Sequence, residues 1–260
     1  MAAGLRVRRA GGATDVGRHR KHNEDHFLIR EDHGLYLVAD GMGGHQAGDV
    51  ASALATLSVC NFYDATQNGE SWSDAYKAPA DEALTPSACR LSAAIRKANA
   101  DVYAISSSHR KHRGMGSTIV AVYVPRDGDE VHVGHVGDSR CYRIRGGAIE
   151  QITRDHSLLN EALAMDPKLT AEELARVPTN IITRALGMEP SVEADVRSLR
   201  PEPDDVLLLC SDGLSSMVTN DQIREAISLM SDARETCELL VDLANEAGGM
   251  DNVTVLIVQF

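Results

Sequence analysis

Residues 117–153 read STIVAVYVPRDGDEVHVGHVGDSRCYRIRGGAIEQIT. Runs at 117–124, 130–137, 140–145 and 148–153 are rich in Val, Ile and Tyr, the residues that fill pleated, half-buried surfaces. The turn signals DGD (127–129) and RGG (145–147) separate them as hairpins. The same pattern extends outward. Residues 25–30 and 35–39 form a strand pair around an EDHG turn. Further strands fall at 194–199, 205–210 and 253–260. Helical patterning covers 46–63, with small residues on one side. A second helix opens at Thr85-Pro86 and runs to about 107, since Pro is favoured in a first turn. Two more helices cover about 219–247. Strands come in runs and helices in pairs, not in strict alternation, which predicts an α+β fold of antiparallel sheets with helix pairs packed on them. Residues 155–185 are less regular, with two short helical pieces.

The 260 residues carry no Pro/Ser/Gly-rich linker, and 43% are apolar, so one domain over 1–260 is expected. A net charge of −12 argues against nucleic acid as a partner; the basic stretches are only RVRR (6–9), RKH (20–22) and HRKHR (109–113). The cysteines (60, 89, 141, 210 and 237) are odd in number and form no CxxC pair, which suits reduced core residues and a reducing compartment. The N-terminus lacks the apolar segment of a signal peptide, and no apolar run is long enough to span a membrane. A soluble cytoplasmic protein without a membrane partner is expected.

An acid recurs at strand ends. Asp40 closes LYLVA, Asp138 follows VHVGHVG, Asp212 follows VLLLCS, and Asp251 precedes VTVLIVQF. Glu24 and Asp25 precede HFLI. Taken singly, each reads as a turn-forming Asp. As a set they abut strands expected to be central, whose ends would gather the carboxylates in one place. Clustered carboxylates repel one another and would take up protons. A hard divalent cation resolves that conflict, because Mg²⁺ and Mn²⁺ prefer oxygen ligands. There is no HExxH, no Cys/His zinc spacing and no P-loop. His132 and His135 lie three apart on one strand and face opposite sides. Ser139 and Ser211 have no evident base.

The ordered series RKHNED, VADGMGGHQAG, GMGSTIVAVYV, VGDSRCYRIR, DHSLLNE, ITRALG, CSDGL and GGMDNVTVLIV resembles the metal-dependent protein phosphatases of type 2C, and most of all the compact bacterial enzymes. The match runs from about Thr14 to Phe260. The resemblance implies a four-layer α-β-β-α sandwich, two antiparallel sheets flanked by antiparallel helix pairs. It implies two core ions, Mn²⁺ or Mg²⁺, and a third, weaker one. Asp40 would bridge the core ions, and the Gly41 carbonyl would bind one. Asp212 and Asp251 would complete one shell, and Glu24 would serve the other. Asp138, with Asp212, would hold the third ion. Arg20 would bind the substrate phosphate, and Asp25 and Asn252 would support the ligands. A water held between the two ions would hydrolyse phosphoserine and phosphothreonine on proteins, opposing a Ser/Thr kinase. The partners implied are phosphoproteins, including such a kinase or its substrates, and the enzyme would be a monomer. Residues 155–185 correspond to the family's flap. Met42 departs from the pattern: it stands where many eukaryotic members have a His proposed as general acid, and that role is not transferred to His45. Two other readings stay open, a scaffold that binds phosphoproteins without turnover, and a nuclease or small-phosphoester hydrolase.

Overall fold

The computed structural model describes residues 6–43, 47–66, 83–174, 176–178, 181–229 and 231–260. The Gly44, His45 and Gln46 readings lie outside the described residues. Strands β1 (Arg9–Asp15), β11 (Val253–Gln259), β10 (Val206–Cys210), β7 (Arg140–Arg145) and β8 (Ala148–Gln151) form one sheet in that order. The other runs β2 (Asp25–Arg30), β3 (Leu35–Met42), β5 (Ile119–Tyr123), β6 (Val131–Val136) and β9 (Asp195–Leu199), with the short β4 (Gly116–Ser117) added on β3. Every pairing is antiparallel.

Three apolar clusters separate four layers. Between the sheets lie Tyr36, Val38, Val120, Val133, Leu207, Leu209, Leu256 and Val258. The opposite faces of the same strands, with Leu37, Ile119 and Ala121, pack on α1 (Ala47–Thr66) and α2 (Pro86–Ser108). On the far side Leu208, Cys210, Val253, Val255 and Ile257 pack on α5 (Asp212–Ser215), α6 (Asn220–Leu229) and α7 (Ala233–Glu246). This explains why β5, β10 and β11 read as continuous apolar runs: both faces are covered, so the usual in–out alternation disappears. The helices begin where local chemistry starts them. Thr85 accepts the Ala88 N–H ahead of Pro86, and Asp232 accepts the N–H groups of Arg234 and Glu235. Such caps contribute about 1 kcal/mol each.

The hairpins at 124–130 and 146–147 join β5 to β6 and β7 to β8. Between them, at Gly137–Ser139, the chain crosses from one sheet to the other, which sets Asp138 at the seam. The sequence reading lacks β1. Its RAGGATD has little apolar patterning because two neighbours press on it. A Cβ at Gly11 would lie 2.4 Å from the Arg234 nitrogen of α7, and one at Gly12 would lie 2.6 Å from the Phe27 ring. Close approach, not a turn, requires these glycines. Within 155–185 the structure has α3 (Leu158–Met165) and α4 (Ala171–Leu174).

Candidate metal centre

The topology gathers the strand-end acids. Asp25 and Asp40 are direct register partners across β2 and β3, and such a pair shares one face of a sheet. Asp212 and Asp251 lie at adjoining ends of the paired strands β10 and β11. Glu24, Asp40, Gly41, Asp212 and Asp251 line a pocket of about 1170 Å³, with Arg20 and Met42. Asp138 stands behind this group, close enough to Asp40 and Asp212 to raise the pKa of one and be raised by the other.

The backbone around Asp40 is tied down. Its N–H donates to Thr118 Oγ1 (3.1 Å), and its carbonyl accepts from the Thr118 N–H (2.8 Å) and the Ser117 hydroxyl (3.0 Å). Thr118 Oγ1 in turn shares a hydrogen bond with Ser139 (2.7 Å). Asn252 does the same for the loop carrying Arg20 and Glu24. Its amide donates to the carbonyls of Val16 and His22, and its Oδ1 accepts the Glu24 N–H. The Ser211 hydroxyl donates to Asp25 (2.7 Å) and accepts from the Thr254 N–H. With both serine hydroxyls engaged in this way, neither is poised as a nucleophile.

The electrostatics are those of crowded acids. Burial, then the charges of Asp25, Asp212, Asp251 and Asp138, hold Asp40 well above the usual carboxylate range. Burial pushes Asp25 up to about 7, against hydrogen bonds from Ser211 and Thr254. Asp138 is also pushed up to about 7, by burial and then by Asp212. Asp212 is raised by burial and by Asp251. Glu24 is raised by burial, with Arg20 opposing. Among the described residues, Asp25 Oδ1, Asp138 Oδ1 and Asp212 Oδ1 are buried without a hydrogen-bond partner. A buried acceptor left so is costly unless something else satisfies it.

A cradle marks where such a partner fits. A side chain at Gly48, in the first turn of α1, would meet Glu24 Oε2 and the Gly41 carbonyl oxygen at 2.8 Å each. The two oxygens thus converge over a position that only glycine leaves open. The donor set is all oxygen, mostly anionic and partly orphaned, and it fits a hard divalent cation such as Mg²⁺ or Mn²⁺. Sequence reasoning missed Gly48 and also Thr118. Their signals were the small-residue face of α1 and the GMGST run.

Arg20 reaches the pocket but is engaged there. Its half-exposed guanidinium donates to Asp251 Oδ2 at 2.7 Å, and that bond raises its pKa. A second cluster, His135, His156 and Asp195, brings its ligand atoms within 4.8 Å of one another. It is already satisfied: Gly137 N–H donates to His156 Nδ1, and Arg184 Nη1 lies 2.8 Å from Asp195 Oδ1. The guanidinium supplies the cation, and the cluster braces the two ends of 155–185 beside Asp138.

A family model for protein phosphatase 2C matches residues 17–246. The chain belongs to the protein phosphatase 2C family. It is 34% identical over 255 residues to the serine/threonine phosphatase stp of Listeria monocytogenes, covering 95% of this chain and 93% of that one. The crystal structure of the Mycobacterium tuberculosis serine/threonine phosphatase PstP/Ppp superposes with a TM-score of 0.80 at 33% identity, covering 97% of this chain and 98% of that one. A structure of the PstP catalytic domain in complex with two manganese ions gives a TM-score of 0.78 at 33% identity, covering 96% of this chain and 97% of that one. The chain is therefore a metal-dependent protein serine/threonine phosphatase of the compact bacterial type, with phosphoproteins as substrates. The α-β-β-α sandwich expected from the sequence is the fold observed. No helix among the described residues is long and apolar enough to cross a membrane.

Proposed function

We propose that the chain hydrolyses phosphoserine and phosphothreonine esters at two Mn²⁺ or Mg²⁺ ions. In this reading Asp40 would be shared between the ions, and Gly41, Asp212, Asp251 and Glu24 would complete the set of residues that hold them. Asp138 and Asp212 serve a third, weaker ion. The observation that carries the reading is Asp40 itself, fixed through its backbone and surrounded by carboxylates whose buried oxygens lack partners. When bound, the cations activate water and offset the charge of the phosphoryl group.

The protein's own groups do the rest. Asn252 holds the turn that presents Glu24 and Arg20. Arg20 exchanges its bond with Asp251 for phosphate oxygens, for which its planar fork is suited. Met42 lines the pocket and carries no proton to donate; in this reading water protonates the leaving alkoxide. The chain acts as one catalytic unit over 1–260, with 155–185 as a flap at its edge. It works as a monomer opposing a Ser/Thr kinase in the cytoplasm, a setting supported by cysteines that form no disulfide among the described residues, four of them buried.

Mn²⁺-dependent hydrolysis of p-nitrophenyl phosphate tests the proposal. Turnover should require millimolar Mn²⁺ or Mg²⁺ and be lost in Asp40→Asn. Absence of turnover, or full activity in Asp40→Asn, would overturn it.

A further inference from the structure

We propose that the two basic stretches at 20–22 and 109–113 select phosphoproteins whose phosphorylated residue is flanked by acidic side chains or a further phosphate. The inference deepens the phosphatase reading above and rests on it. On a chain of net charge −12, the pocket is lined by Arg20, Lys21 and His22 from one stretch and by Lys111 and His112 from the other. These segments are far apart in sequence, one before β2 and one after α2, yet the fold brings both to one cavity.

The second stretch is held in shape. His112 N–H bonds to the His109 carbonyl (2.9 Å), and Met115 N–H bonds to His112 (3.1 Å). A cation at the end of α2 also offsets the helix dipole, which accounts for the charge but not for its place in the pocket wall.

The charges are also uncommitted. Elsewhere several buried or half-buried arginines are paired, Arg140 with Asp155, Arg143 with Glu150, and Arg145 with Asp205. Lys21 and Lys111 make no ion pair among the described residues. With divalent cations bound as proposed above, and with Arg20 on Asp251, the carboxylates deeper in the pocket would leave the lysines' charge available. A peptide lying across the mouth places its phosphate over Asp40 and its flanking side chains near Lys21 and Lys111. Anionic flanks are attracted there, and basic flanks are repelled.

The test uses the full chain with Mn²⁺ and four phosphothreonine peptides of equal length. Their flanks are Asp/Glu, Ala/Ser, Lys/Arg, or Ala/Ser with a second phosphothreonine. The readout is the ratio of kcat/KM values, which general damage to the fold lowers for all peptides alike. Each lysine should contribute about threefold, the scale of one exposed ion pair. The acidic and doubly phosphorylated peptides should therefore exceed the neutral one by about tenfold at low salt. Salt screening should shrink the ratio. Lys21→Gln or Lys111→Gln should lower it about threefold, and Lys111→Glu should favour the basic peptide. A ratio of one in the unaltered protein, or one unchanged in Lys21→Gln/Lys111→Gln, would overturn the inference while leaving the phosphatase reading intact. No turnover of any peptide or of p-nitrophenyl phosphate would overturn both.

Discussion

Stripping divalent cations should invert the usual pH dependence of a carboxylate-rich protein. Asp25 and Asp138 have folded-state pKa values raised from 3.8 to about 7 in the cation-free protein. A raised carboxyl pKa means the folded state binds protons that the unfolded chain has released. Stability should then fall as pH rises from about 4 to about 7, and recover on acidification. Between pH 7.5 and 5.5 a group titrating near 7 goes from mostly ionised to mostly protonated. At about 1.4 kcal/mol per pH unit this returns roughly 2 kcal/mol for one such group. The second group adds less than its full share, because both sites feel Asp212. For a chain of this length 2 kcal/mol corresponds to a Tm increase of about 4–8 °C. Buried His132 and His135 have depressed pKa values, so they oppose the trend by favouring the unfolded state at low pH. The Asp138→Asn variant isolates the carboxylate part. The assay is thermal unfolding in EDTA at pH 7.5 and 5.5, repeated with excess Mn²⁺. The cation-free protein should be more stable at pH 5.5, Asp138→Asn should flatten that slope, and Mn²⁺ should raise Tm most at pH 7.5. A cation-free Tm that is higher at pH 7.5, with the same slope in Asp138→Asn, would refute the electrostatic reasoning.

Two further predictions concern the supports of the site. Gly48→Ala places a methyl 2.7–2.8 Å from the Glu24 carboxyl and the Gly41 carbonyl; it should weaken Mn²⁺ binding by about 10–100-fold, the scale of disturbing a ligand's support, as read by isothermal titration, while the far-ultraviolet circular dichroism stays unchanged. Asn252→Ala removes the bonds to Val16, His22 and Glu24 and leaves polar groups unpaired; it should cost about 1–3 kcal/mol in urea unfolding and lower kcat/KM for p-nitrophenyl phosphate.

Much of this was legible in the chain. The runs at 117–153 announced antiparallel strands because hairpin signals are local. The acids announced themselves because each interrupts or abuts an apolar strand. The less legible parts depend on contacts between segments distant in sequence. β1 looks like a loop until α7 and Phe27 are seen against its glycines. The sheet crossover at Gly137–Ser139 looks like one more turn. Gly48 looks like an ordinary small helix residue, and its role appears only when Glu24 and Gly41 close over it. Arg20 was read as a phosphate ligand, and its bond to Asp251 could not be read from a spacing. Lys21 and the stretch at 109–113 carried no functional reading in the sequence until the pocket placed them on its walls.

In the proposed mechanism Asp40 joins two cations at the meeting point of the two sheets. Crystals grown with Mn²⁺ and measured at the manganese absorption edge test it most directly. Two strong anomalous peaks should flank the Asp40 carboxylate, one beside Asp212 and Asp251 and one beside Glu24, both absent in Asp40→Asn. A single peak remote from Asp40, or a pair that persists in Asp40→Asn, would contradict it.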